Sequence, residues 1–98
     1  MKTPFEAATA ARDTLDAALT SAIAALNALT TELAGDDLRP MNLTPDRVKA
    51  HPDWQRAKAK ADRAFQTLRQ FNGNYVRQFK RELAAARQAA RNRAILDL

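Results

Sequence analysis

The sequence predicts an all-α fold: a long antiparallel helical hairpin, one domain over residues 1–98, that pairs with a second copy of itself. Three observations predict it. Alanine, leucine, arginine, glutamine and glutamate, all good helix formers, dominate the 98 residues, which include only two glycines and four prolines. Apolar residues recur every three or four positions through two long segments, the period of a helix. Each of those segments opens on a proline directly after a capping residue.

The first helix is expected over about 4–34. Thr3-Pro4-Phe5-Glu6 reads as N-cap, proline at the first helical position and glutamate at the third, the pattern of a capping box. An apolar stripe follows through Phe5, Ala8, Leu15, Leu19, Ala22 with Ile23, Leu26, Leu29 and Leu33. Gly35 then stands where a helix commonly ends.

Residues 35–51 read as a linker between the two helices. Thr44-Pro45-Asp46 resembles a second cap and proline start, so one helical turn is expected at 45–49. His51-Pro52-Asp53 opens the second long helix, with a carboxylate on the positive end of its dipole. These starts are generic capping signals and point to no particular family.

The second helix is expected over about 52–95. Asn72-Gly73-Asn74 are weak helix formers inside it, glycine costing about 1 kcal/mol relative to alanine. Stepping 100° per residue nevertheless keeps Trp54, Ala61, Phe65, Leu68, Tyr75, Phe79, Leu83, Ala86 and Ala90 near one direction on both sides of Gly73. Phase therefore favours one helix, with Gly73 the expected place for a kink. A true break at 72–74 would give a three-helix bundle instead.

Two features point to a homodimer. A helix over 52–95 outruns a helix over 4–34, leaving apolar surface without cover. The first helix also carries no charge from Ala17 to Thr31, and its back face holds Thr14, Ala17, Ser21, Ala24 and Ala28. Small uncharged residues on two sides suit a helix packed between two neighbours. Arg12 and Asn72 fall within the apolar stripes, where a polar residue can fix register.

Composition argues against several function classes. The chain lacks cysteine, so disulfide and thiolate chemistry is excluded. Its one histidine, His51, is better placed to cap a helix than to act as a base, and no nucleophile or second base surrounds it. The carboxylates are scattered and form no metal set, and no glycine-rich loop cradles phosphate. No enzyme activity, cofactor, metal or small-molecule substrate is expected. Met1-Lys2 leads into Thr, Pro and Glu rather than an apolar run, and the segment Leu15 to Leu29 is interrupted by Asp16, Thr20, Ser21 and Asn27. Neither secretion nor a membrane role is expected, which leaves the cytoplasm.

Charge is divided between the two halves. Residues 1–46 hold three Lys/Arg against seven Asp/Glu, a net −4; residues 47–98 hold thirteen against four, a net +9. A basic half suggests an acidic partner. Arg77, Lys80, Arg87 and Arg91 share one face of the second helix, with Arg69 and Arg81 at its edges, and Arg56, Lys60 and Arg63 form a second cluster nearer its start. A basic ridge along a rod can track a nucleic-acid backbone, DNA or RNA, and eleven of the sixteen cations are arginine, which binds phosphate bidentately. No aromatic residue is interleaved on that face for base stacking. The competing expectation is an adaptor or inhibitor that binds a protein through an aromatic face comprising Trp54, Phe65, Phe71, Tyr75, Val76 and Phe79. Those aromatics would otherwise complete the dimer core.

Overall fold

Helices begin here where the local sequence can satisfy free backbone N–H groups. The computed structural model describes residues 1–37 and 44–97. Among them every regular element is helical: α1 over Pro4–Ala34, a 3₁₀ turn over Gly35–Asp37, α2 over Asp46–Lys49, α3 over Pro52–Gln78 and α4 over Lys80–Leu96. The centre of the expected linker, 38–43, lies outside the described residues, as does Leu98. The shape is extended, 51 × 33 × 22 Å with a radius of gyration of 19.0 Å. A compact chain of this length would have a radius of gyration of about 13 Å.

The caps of the long helices follow from residues beside them. The Thr3 hydroxyl oxygen accepts the Glu6 N–H at 3.1 Å, and the hydroxyl donates to the Glu6 carboxylate at 3.1 Å. The first bond of the expected capping box is therefore formed, while Glu6 meets the Thr3 hydroxyl in place of the Thr3 backbone N–H. Gly35 ends α1 at φ 56°, ψ −124°, a conformation open to glycine, and its N–H donates to the Thr31 carbonyl. His51 caps α3: its Nδ1 accepts the Asp53 N–H at 3.1 Å. At α2 the expectation needs correcting, because Pro45 rather than Thr44 is the N-cap and no side chain caps the turn. The Pro45 carbonyl instead accepts from the N–H groups of Val48 and Lys49.

The second long segment departs from expectation at one point. Gly73 sits inside α3, so the chain has no turn at 72–74, and the helix is interrupted instead at Phe79. Phe79 has φ −113° and ψ 30°, away from helical values. The ladder is bridged there: the Phe79 N–H donates to Tyr75 at 3.0 Å, and the Phe79 carbonyl accepts from Leu83 at 2.9 Å. Packing explains the position. Leu68 and Tyr75, on either side of Gly73, are buried, and their burial outweighs glycine's cost of about 1 kcal/mol. Phe79 lies level with the start of α1, where that support ends, and its ring meets Phe5 and Tyr75 at 5.5 Å each.

Contacts between α1 and α3 run from one end to the other. Phe5, near the start of α1, stacks on Tyr75 with ring centroids 6.0 Å apart. Thr30, near the end of α1, accepts the Trp54 indole N–H at 2.9 Å. Between these ends, burial follows a seven-residue repeat. On α1 the partly or fully buried positions include Ala8, Arg12, Leu15, Leu19, Ala22, Leu26, Leu29 and Leu33; on α3 they include Trp54, Ala57, Ala61, Ala64, Leu68, Phe71 and Tyr75. A straight helix drifts about 20° per heptad against such a repeat. Stepping at 100° therefore selected Phe65, Ala86 and Ala90, which are exposed, and passed over Ala57 and Ala64.

The buried core is thin: Ala22, Ala34, Val48, Ala61, Leu68, Tyr75 and Phe79 among the described residues. Val48 is 1% exposed, in the turn that packs against α1 and α3, and Ala34 at the end of α1 is 2% exposed. Arg47, the neighbour of Val48, donates to the Leu33 and Ala34 carbonyls at 2.8 and 3.0 Å. α1 has no basic residue in its own last turn, so Arg47 supplies the positive charge and the donors that this helix end needs. α4 buries nothing.

Candidate binding surfaces

The basic residues are presented by helices whose other side is committed to packing. With one stripe of α3 held against α1, the remaining arc faces solvent. Arg56, Lys60, Arg63, Arg69, Arg77, Lys80, Arg81, Arg87 and Arg91 are all exposed. The interruption at Phe79 divides the expected ridge, leaving Arg77 on α3 and Lys80, Arg87 and Arg91 on α4. Three of the nine are engaged locally: Arg56 with Asp53, Arg77 with the Gly73 carbonyl and Asn74, and Arg91 with Gln88. The side chains of Lys60, Arg63, Arg69, Lys80, Arg81 and Arg87 have no hydrogen-bond or ion-pair partner among the described residues. α3 and α4 each carry a net +4, whereas α1 carries −3.

The six residues of the expected aromatic face divide into two groups. Tyr75 and Phe79 are 3% and 6% exposed, Phe71 is half-buried with its ring 6.0 Å from Tyr75, and Trp54 is held by Thr30. These four are occupied within the single chain. Phe65 and Val76 remain at the surface, 49% and 55% exposed.

Arg12 is the polar residue that the stripe placed among apolar neighbours. It is half-buried, with its guanidinium carbon 5.1 Å from the Tyr75 ring centroid and one nitrogen 3.6 Å from the Asp13 carboxylate. A guanidinium over an aromatic face is attracted by the ring quadrupole. Beside it, a groove of about 530 Å³ runs past the Phe79 interruption, lined by Arg12, Asn72, Tyr75, Val76, Leu83, Ala86, Arg87 and Ala90. A smaller hollow of about 300 Å³ continues it through Asn72 to Leu68, Arg69 and Phe65. The sequence held a signal for this groove in the two stripe residues that α1 does not reach, Ala86 and Ala90.

At the other end of α3, a third hollow of about 500 Å³ lies between Leu26, Thr30 and Trp54, with Lys58 at its edge. Lys58 is paired with Asp62 at 2.8 Å. Among the described residues no group of three His, Asp or Glu side chains could hold a metal ion.

α1 differs from expectation in one respect. By length and composition an 18-residue window of it is apolar enough to cross a membrane. Alanine, rather than large apolar side chains, supplies much of that apolar character. The helix packed along it carries Arg56, Lys58, Lys60 and Arg63, which are costly to place in hydrocarbon. Only 11% of the window is buried within the chain.

No protein-family model, curated protein or solved structure matches the chain.

Proposed function

We propose that this chain is a small non-enzymatic binding or assembly protein of the cytoplasm, an accessory factor that engages an acidic partner, nucleic acid first. It would work as an antiparallel helical hairpin, paired with a second copy through the uncharged outer face of α1. Phosphates would be met by the basic side of α3 and α4. The observation that carries the reading is the set of nine exposed cations, six of them without a partner among the described residues, on two helices of net +4 each. Guanidinium and ammonium groups that neutralise phosphates displace the counterions condensed on a nucleic acid, and arginine meets phosphate with paired donors. The dimer is supported by a window of α1 that has little charge and little burial within one chain.

The use of His51 as a helix cap supports a role without chemistry, because its Nδ1 is occupied by the Asp53 N–H. The alternative reading, an adaptor or inhibitor acting through the aromatic face, is narrowed to Phe65 and Val76, since the other four candidates are engaged within the chain.

Fluorescence anisotropy with labelled DNA and RNA at low and moderate salt tests the proposal. Binding should weaken steeply as salt rises, with a slope near one for each phosphate neutralised. Replacing Arg77, Lys80, Arg87 and Arg91 with glutamine should abolish binding and leave the circular dichroism unchanged. Failure to bind either nucleic acid at low salt would sink the reading. Light scattering after size exclusion tests the dimer separately.

A further inference from the structure

We infer that the groove beside the Phe79 interruption is a docking site for an amphipathic, acidic helix belonging to a different protein. This goes beyond the phosphate-binding reading, because the groove is walled by apolar side chains rather than cations alone.

The argument starts from what the groove lacks and what it offers. α4 buries no residue, and Val76, 55% exposed, stands at the junction with Leu83 and Ala86 beyond it. Two guanidinium groups, those of Arg12 and Arg87, border the apolar wall. Arg87 has no partner among the described residues, and Arg12 has only Asp13, at 3.6 Å, and the Tyr75 ring. An occupant must therefore bring apolar side chains for the wall and carboxylates for the arginines. From Asn72 to Ala90 the wall follows about 27 Å of helix at 1.5 Å per residue, and a helix of about 18 residues matches that length. Laying one apolar face into such a groove is a common mode of peptide recognition.

Charge and shape decide who the occupant is. A second α4 in this groove would set Arg87, Arg91 and Arg93 against their own copies. A second α1 is acidic, but the face that carries Glu6, Asp13 and Asp16 offers one exposed large apolar side chain, Ile23, among Thr9, Ala17 and Thr20, too few to fill the hollow. Nucleic acid supplies the negative charge without the aliphatic side chains. A heterologous acidic helix meets both requirements.

The test uses the full chain and a displayed library of about 18-residue helix-forming peptides, with leucine fixed along one stripe and Glu, Gln or Lys elsewhere. Glu-rich members should be enriched. An enriched peptide should lose roughly tenfold or more in affinity for Val76→Asp and for the pair Arg12→Gln with Arg87→Gln. Val76 is exposed, so its variant should keep its circular dichroism. Labelled DNA should bind Val76→Asp as it binds the parent chain, whereas Lys60, Arg63, Arg77 and Lys80 changed to glutamine should lose DNA and keep the peptide. Three outcomes would overturn the proposal: no enrichment of acidic peptides, equal binding to Val76→Asp, or a dimer in the parent chain that Val76→Asp converts to monomer. The third would assign the groove to a second copy.

Discussion

The Trp54 indole N–H donates to the Thr30 hydroxyl, which itself donates to the Leu26 carbonyl one turn back. The same arrangement recurs at the opposite end of the pair. The Thr9 hydroxyl donates to the Phe5 carbonyl at 2.9 Å and lies 2.8 Å from the Tyr75 hydroxyl. With the Thr9 proton committed to Phe5, the Tyr75 hydroxyl is the donor between them. Thr9 and Thr30 are three heptads apart, and so are Trp54 and Tyr75. Two aromatic donors thus meet two threonine acceptors at matching register, and a slip of one turn between α1 and α3 breaks both bonds.

The first prediction follows from this pairing. Thr30→Val and Thr9→Val keep side-chain shape and remove the acceptor, so each should cost about 1 kcal/mol of unfolding free energy. A double-mutant cycle on Thr9→Val and Tyr75→Phe should return a coupling of about 0.5–1 kcal/mol. Urea titration followed by circular dichroism measures both. Strict additivity of the two changes would show that the hydroxyls do not cooperate.

Features with local causes were legible in the sequence, and features with distant causes were not. Thr3-Pro4, Gly35 and His51-Pro52 mark real helix ends because the atoms that cap a helix belong to residues a few positions away. The register bonds were missed because Thr9 and Thr30 acquire their roles only when α3 lies at one particular height. Phe79 was missed for the same kind of reason: where the helix yields depends on where α1 starts in space. The basic residues were legible as a solvent-facing set, since charge seeks water. What they bind is decided by groups outside the chain.

Gly73 gives a second prediction, of opposite sign to the one for Gly35. It is helical and exposed, and a Cβ built on it meets nothing within 4 Å. Gly73→Ala should therefore stabilise the fold by about 0.5–1 kcal/mol. Gly35→Ala should destabilise it, because φ there is 56°. A thermal scan of the two variants distinguishes the positions. Destabilisation by Gly73→Ala would mean that the helix does not pass straight through 73.

Arg47 gives a third. Its two donors satisfy the Leu33 and Ala34 carbonyls at the end of α1. Arg47→Ala leaves those carbonyls to water and should cost about 1–2 kcal/mol. Lysine should recover only part of the loss, since it lacks the planar fork that reaches two adjacent carbonyls. Hydrogen exchange should locate the effect in the last turn of α1 and in α2, with the Phe5–Tyr75 end unaffected.

The fourth prediction separates the fold from the surfaces built on it. α4 contributes no buried residue, and the core it adjoins ends with Phe79. A chain ending after Ala84 keeps Leu83, whose N–H bonds the Phe79 carbonyl. It should unfold within about 0.5 kcal/mol of the full chain, the usual range for changes at surface positions. In the intact chain, α4 amides should exchange well before those around Ala61 and Leu68, because little tertiary packing opposes their opening. The truncated chain should nevertheless lose the acidic peptide, because the far wall of the groove leaves with α4, and should bind nucleic acid more weakly and with a shallower salt dependence, because Arg87 and Arg91 leave too. A fall in stability of more than about 2 kcal/mol on truncation would show that α4 supports the core, and its exposed surface would then need another explanation.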